Sequence, residues 1–370
     1  EIKANSLNII LPVGISFYTF QTLSYSIDVY KRKLEPTKEF IAFSAFVSFF
    51  PQLVAGPIER ATRLLPQFYK KRIFNYSKAV DGMRQILWGL FKKIVIADNC
   101  AEYANLIFNN SAYYSGSTLV LGALFFTFQI YCDFSGYSDI AIGTSRLFGF
   151  NLMQNFNFPY FSRDIAEFWR RWHISLSTWF RDYLYIPLGG SRGGVWMKVR
   201  NIFAIFLVSG FWHGANWTFI IWGLLNALYF LPLLLLNKNR LNTDVIAQGK
   251  FIPTLKELIQ MGITFSLTVF AWIFFRAENM THALKYISSI FSKSIFDIPD
   301  FSNMKMAVIS LCLILFLTII EWVGRDESFG FSIVKDIKRP FTRKIIYVLL
   351  ILMIFIFGNF NENQFIYFQF

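Results

Sequence analysis

Charge is scarce in this sequence. Only 16% of its 370 residues are Asp, Glu, Lys or Arg, against about 25% in ordinary soluble domains. A soluble chain of this length needs a polar surface, yet 55% of the residues are hydrophobic and 19% aromatic. The apolar residues come in long runs, so lipid is the expected solvent. Histidine and cysteine are scarcer still, with three of each. Cys100, Cys132 and Cys312 stand in or beside apolar stretches without metal-like spacing. No disulfide framework or metal site follows, and the three read as small buried apolar side chains. There is no Gly-x-Ser-x-Gly nucleophile elbow, no solenoid-type repeat, no low-complexity linker and no signal peptide. The chain opens at Glu1 rather than Met, which leaves room for further helices upstream.

What is present sorts into apolar runs and basic loops. The net charge of +13 would suit a nucleic-acid partner. The Lys and Arg residues instead gather beside apolar runs, as the positive-inside bias predicts, so no nucleic acid is expected. Three basic stretches are assigned to the cytoplasmic side: Lys31–Lys38, Arg60–Arg72 and Arg163–Arg200. They could equally bind anionic lipid. A span needs about 20 mainly apolar residues. Candidates are Asn8–Tyr30, Phe40–Val54, Ile86–Phe108, Thr118–Gly143, Ile202–Trp222, Trp217–Leu236, Leu258–Phe275, Ala307–Val323 and Ile345–Gly358, giving roughly seven to nine spans. Phe40–Val54 is short and runs into Pro51 and Gly56-Pro57, so a re-entrant or broken helix is expected there. Ile202–Leu236 suits a helical hairpin. Polar stretches such as Asn237–Lys250 read as loops within one membrane domain, residues 1–370.

Two histidines stand out. The stretch Ser162–Tyr185 is too charged to cross lipid. It reads as an amphipathic interfacial helix, with Ser162 at its start and Asp164 and Glu167 suiting its positive end. At about 100° per residue, Trp169, Trp172, His173, Leu176 and Phe180 share one face, opposite Glu167, Arg171, Thr178 and Asp182. Glu167 and Arg171 form an i,i+4 pair. His173 is then either a satisfied buried histidine or one aimed into a reaction chamber. His213 follows the apolar run Ile202–Trp212, and an ionisable group at that depth is costly. Neutral imidazole is suited to accepting a proton near pH 7, although an interhelical hydrogen bond would also account for it. Gly210, Gly214 and Ala215 allow close helix packing or room for a ligand. Asp28, Asp133, Asp139 and Glu321 are further intramembrane polar groups. Asp133 could orient a histidine or pair with an arginine, and both readings stand open. His282 reads as a surface residue.

Several stretches together resemble one family. They are Leu11–Phe20, Ala55-Gly56-Pro57-Ile58-Glu59-Arg60, Asp133-Phe134-Ser135-Gly136-Tyr137-Ser138-Asp139, Phe168-Trp169-Arg170-Arg171-Trp172-His173, Trp212-His213-Gly214 and the ending Tyr367-Phe368-Gln369-Phe370. The chain resembles the membrane-bound O-acyltransferases (MBOAT), specifically the bacterial AlgI-like branch. The resemblance implies an all-α bundle around a tunnel, lacking here the N-terminal transmembrane helices usual in the family. It implies a catalytic pair, His213 and His173, with Asp133, Trp169, Arg170, Trp212 and Asn216 lining or supporting the site. It also implies an acyl thioester donor, acetyl-CoA by preference, and no permanently bound cofactor. The implied partners are an exported polysaccharide acceptor and an extracytoplasmic acetyltransferase, with the protein in the bacterial cytoplasmic (inner) membrane. The bottom-up reading agrees in one respect: thioester transfer needs a base and an oxyanion stabiliser and no metal. The alternatives are a D-alanyl transferase for teichoic acid (DltB-like), fed by a carrier protein, or a transporter, flippase or non-catalytic scaffold. Transporters usually show internal repeats, and none is seen.

Overall fold

The computed structural model describes residues 14–360 and Phe365. The start of the first apolar run, Asn8–Val13, and the ending Tyr367–Phe370 lie outside the described residues. Fourteen α-helices follow in order among the described residues: α1 Ile15–Tyr30, α2 Phe40–Val47, α3 Ala61–Tyr69, α4 Tyr76–Leu90, α5 Asp98–Asn109, α6 Gly116–Leu147, α7 Ile165–Arg171, α8 Ile174–Phe180, α9 Val195–His213, α10 Trp217–Leu235, α11 Leu255–Arg276, α12 Met280–Ile290, α13 Met304–Val323 and α14 Pro340–Phe357. Six of them (α6, α9, α10, α11, α13 and α14) are long and apolar enough to cross a membrane. That is fewer than the seven to nine runs suggest. The run Ile86–Phe108 is broken by a π-helical segment, Phe91–Ala97, that carries Lys92 and Lys93. The run Phe40–Val54 yields only the eight residues of α2 before the chain turns. Its continuation, Ala55 to Glu59, is buried in the protein, as a broken helix at membrane depth requires.

Helix α6 is the central post. It has 32 residues, about 48 Å at 1.5 Å per residue. Its most apolar window is 78% buried, against 11% for the outer helix α14. Small residues let α4 approach it. A Cβ added at Gly89 would lie 2.6 Å from the Gly136 carbonyl oxygen, and one at Gly82 would lie 2.7 Å from that of Gly143. The seven-residue spacing on each helix, two turns, puts both contacts on one seam.

The same seam carries charge. Lys92 Nζ sits 2.6 Å from Asp139 Oδ2, and Lys93 Nζ lies 2.7 Å from Asp133 and 2.8 Å from Asp98. The partner of Asp133 is therefore a lysine, neither a histidine nor an arginine. The two lysines interrupt an otherwise apolar run, which is the sequence signal for them. Cys100 and Cys132 are buried, but Cys312 is exposed on α13. It faces outward from a helix that meets its neighbours on one side only. His282 is half-buried, with Nε2 at 3.2 Å from Ser111 Oγ.

Candidate active site

The stretch Ser162–Tyr185 folds as two short helices rather than one. Asp164, not Ser162, caps α7, accepting from the Glu167 N–H at 2.7 Å. Helix α7 stops at Arg171, and α8 begins at Ile174. Between them His173 takes a left-handed backbone, φ +43°, a conformation that costs energy in a non-glycine residue and recurs at functional positions. Hydrogen bonds to the irregular segment before α7 hold the break open. The Asn157 N–H donates to the Arg171 carbonyl at 2.9 Å, and the Ile174 N–H to the Asn155 carbonyl at 2.9 Å.

The Glu167–Arg171 part of the charged side does not meet solvent. Glu167 is 1% exposed. It accepts from the Arg163 N–H at 2.8 Å, from the Arg163 guanidinium at 3.0 Å and from Arg171 Nε at 3.1 Å. The expected Glu167–Arg171 pair is thus present but buried. The polar loop after α10 covers it, because Arg163 and Arg171 both donate to the Asp244 carbonyl, at 2.7 and 3.1 Å. Arg170 donates to the carbonyls of Asn239 and Asn242 at 2.8 and 2.6 Å, which fastens this loop to α7.

His173 is 2% exposed. Its ring packs edge-on to Phe134, centroids 4.6 Å apart, and parallel to Phe156 at 6.4 Å. Nδ1 lies 3.1 Å from Asn155 Oδ1. Nε2 is buried and has no hydrogen-bond partner among the described residues. Burial, and to a lesser degree the charge of nearby His213, holds this imidazole well below its ordinary range.

His213 is the last residue of α9. The chain turns through three residues, and α10 starts under an Asn216 cap that accepts from the Thr218 N–H at 3.1 Å. Asn216 Nδ2 also donates to the Glu278 carbonyl at 2.8 Å, so this side chain fixes the turn beside His213. The hairpin expected over Ile202–Leu236 is present. Gly210 makes it tight, since a Cβ there would collide with the Phe219 carbonyl. The His213 ring sits among Trp212, Trp222 and Phe275, with centroids 4.7, 5.2 and 5.1 Å away. Trp222 stacks on Trp272, which leans on Trp172 beside His173. Trp169 joins the same cluster, ring to ring with Trp222 at 5.7 Å, and donates from Nε1 to Asn226 Oδ1 at 3.1 Å.

Two cavities border residues that touch the pair, although neither histidine lines them. A groove lies between α1 residues Ile15, Thr19 and Phe20 and the Trp212 ring. A narrow cleft is lined by Lys92, Ser138, Asp139, Glu321 and Asn155. His173, His213, Trp169 and Trp212 thus share one aromatic neighbourhood. Arg170 and Asn216 hold its covering loop and its turn, while Asp133 sits on the lysine seam of α6. Two supporting residues escaped the sequence reading. One is Asn155. The other is Glu59, whose buried carboxylate accepts from the Met153 N–H and so anchors the irregular segment that carries Asn155. Gln67 fastens the same segment, donating to the Asn151 carbonyl at 3.0 Å and accepting from its N–H at 2.9 Å. The Gly56–Arg60 motif was visible, but its partner segment was not.

The chain has relatives among known proteins. Residues 33–239 match the model of MBOAT, the membrane-bound O-acyltransferase family. The chain is 41% identical over 324 residues to the "Probable alginate O-acetylase AlgI" of Pseudomonas aeruginosa, covering 87% of this chain and 60% of that protein. It is 41% identical over 311 residues to a peptidoglycan O-acetyltransferase of Helicobacter pylori, covering 77% and 58%. It is 31% identical over 235 residues to a teichoic acid D-alanyltransferase of Bacillus subtilis, covering 60% and 58%. The chain thus spans about three fifths of the length of these relatives. It is a multi-pass membrane protein and belongs to the membrane-bound O-acyltransferase family.

Proposed function

We propose that this protein is an O-acyltransferase that moves an acyl group, acetyl by preference, from a cytoplasmic thioester toward an exported glycan. The observation that carries this reading is that buried His173 and half-buried His213 are linked through one aromatic cluster, with Trp222 beside His213 stacking on Trp272, which meets Trp172 next to His173. In the reaction, His213 takes the proton of an acceptor hydroxyl as its oxygen attacks the thioester carbonyl. The tetrahedral intermediate collapses with cleavage of the carbon–sulfur bond. The ester forms, and the proton passes to the leaving thiolate, which departs as a thiol. His173 supports the acceptor hydroxyl. The donor is acetyl-CoA by preference, with no permanently bound cofactor. The protein sits in the bacterial cytoplasmic membrane with its basic loops on the donor side. The acceptor is a surface polysaccharide or peptidoglycan, reached directly or through an extracytoplasmic acetyltransferase partner that completes transfer. D-alanyl transfer to teichoic acid is the second reading. It is favoured less, because the relative so named is 31% identical whereas the two acetyl-transferring relatives are each 41% identical.

The test is mass spectrometry of cell-surface glycans with and without the gene. Loss of O-acetyl groups from one glycan supports the proposal. Loss of D-alanyl esters with acetylation intact moves the assignment to the second reading. No change in either contradicts both.

A further inference from the structure

A buried histidine can hold its single proton on either ring nitrogen, and the choice decides which atom is free to accept one. Around His173 the choice is made by Asn155. The oxygen of the Asn155 amide is identified by its other neighbours. The Ser175 backbone N–H, which can only donate, lies 3.3 Å from Oδ1, and Ser175 Oγ donates to the same atom at 2.8 Å. The opposite end, Nδ2, donates to Ser138 Oγ at 3.2 Å. Rotating the amide by 180° would face an NH2 group against the Ser175 N–H, leaving buried donors unpaired at a cost of about 1–3 kcal/mol each. The atom facing His173 Nδ1 at 3.1 Å is therefore an acceptor, and Nδ1 must carry the hydrogen. In the neutral ring the remaining lone pair is on Nε2, the buried atom without a partner among the described residues. The same residue fixes the ring's position along the chain, since the Asn155 carbonyl receives the Ile174 N–H at 2.9 Å and so holds the left-handed turn at His173.

We propose that Asn155 is a positioning residue: locked by Ser175, it keeps His173 in the Nδ1–H tautomer and so leaves the lone pair of Nε2 as a hydrogen-bond acceptor in the site. The effect on transfer rests on the acyltransferase reading; the tautomer itself does not. Free imidazole side chains favour the proton on Nε2, so without Asn155 the ring reverts to a form that donates where it should accept. The expected cost resembles that of deleting the orienting partner of a functional histidine, roughly tenfold to a hundredfold. It falls on kcat rather than KM, because His173 acts on the reacting group.

The chain has only three histidines, which makes the test direct. The full chain, labelled with 15N in its histidine rings and held in detergent micelles, gives three ring spectra. Loss of one in His282→Ala and of another in His213→Ala assigns the third to His173. The expected spectrum has a protonated Nδ1 and an unprotonated Nε2 at neutral pH. Asn155→Leu should change this tautomer and lower acetyl transfer from labelled acetyl-CoA to glycan in membrane vesicles by the factor above. Asn155→Asp, which keeps the acceptor oxygen, should keep Nδ1 protonated and restore most of the rate. Ser175→Ala, a milder change that leaves the backbone donor in place, should show a smaller effect in the same direction. An Nε2–H tautomer in the unaltered protein overturns the inference. So does Asn155→Leu with unchanged spectrum and rate, or Asn155→Asp no better than Asn155→Leu. If the unaltered vesicles transfer no acetyl, the functional reading fails, while the spectra still decide the tautomer.

Discussion

Replacing Asp139 by leucine should destabilise the bundle more than replacing Asp139 and Lys92 together. Lys92 is 4% exposed, with Nζ 2.6 Å from Asp139 and 3.0 Å from Ser135 Oγ. At an effective dielectric of about 20, charges this close attract by about 6 kcal/mol. Withdrawing both ions from water costs several kcal/mol each, so the intact pair is near break-even. Removing Asp139 leaves a buried ammonium without its directly paired carboxylate, with only Glu321 across the same cleft to offset it, and this costs about 3–5 kcal/mol. Gln85 Nε2, which donates to Asp139 at 2.7 Å, loses its acceptor as well and adds about 1 kcal/mol. The double variant Lys92→Met with Asp139→Leu removes both ions, so it should recover most of the loss. The assay is the midpoint of heat-induced loss of the monodisperse protein in detergent. At about 2 °C per kcal/mol for a chain of this size, the single variant should fall by roughly 8–12 °C, and the double by less than half of that. A single variant as stable as the parent, or a double variant as unstable as the single, would refute the reasoning.

Two further predictions concern the scaffold. Burial pushes the Glu59 carboxyl up to about 7 from an ordinary 4.5. Between those values the folded protein keeps a proton that the unfolded chain has released, so stability falls as pH rises from about 4.5 to 7, by about 3 kcal/mol in all. Glu59→Gln, which imitates the protonated form, should flatten the melting midpoint between pH 5 and pH 8, and an equal decline in both proteins would contradict this. Gly136→Ala should lower the midpoint by the equivalent of about 1–3 kcal/mol, because the new methyl would meet the Gly89 carbonyl oxygen 2.9 Å away. Gly262→Ala, where a Cβ meets nothing within 4 Å, should raise it by the equivalent of roughly 0.5–1 kcal/mol. Equal shifts at the two sites would mean that the close seam does not govern α4–α6 packing.

The helices were legible where apolar runs exceed a membrane's thickness, as in α10, α11 and α13. The hairpin at His213 was legible for the same reason, and so was the broken helix before Gly56-Pro57. Periodicity failed at His173. It projects one helix from Ser162 to Tyr185, because it cannot register a single left-handed residue held by hydrogen bonds to the irregular segment before it. The burial of Glu167, Arg163 and Arg171 was invisible for a related cause: their cover is a polar loop some 80 residues downstream, which composition reads as solvent-exposed. Asp133 and Asp139 were recognised as expensive, but not their lysine partners on the π-helical segment. Asn155 carried no local signal, since an asparagine in an aromatic stretch marks a turn as readily as a support.

The central claim is that His213 takes the acceptor's proton. Its most direct test is His213→Ala in the native host, with surface-glycan acetylation read by mass spectrometry and membrane insertion read by the amount of monodisperse protein extracted. The account predicts loss of acetylation at normal insertion, with His173→Ala giving a large but incomplete loss. Unchanged acetylation in His213→Ala would contradict it.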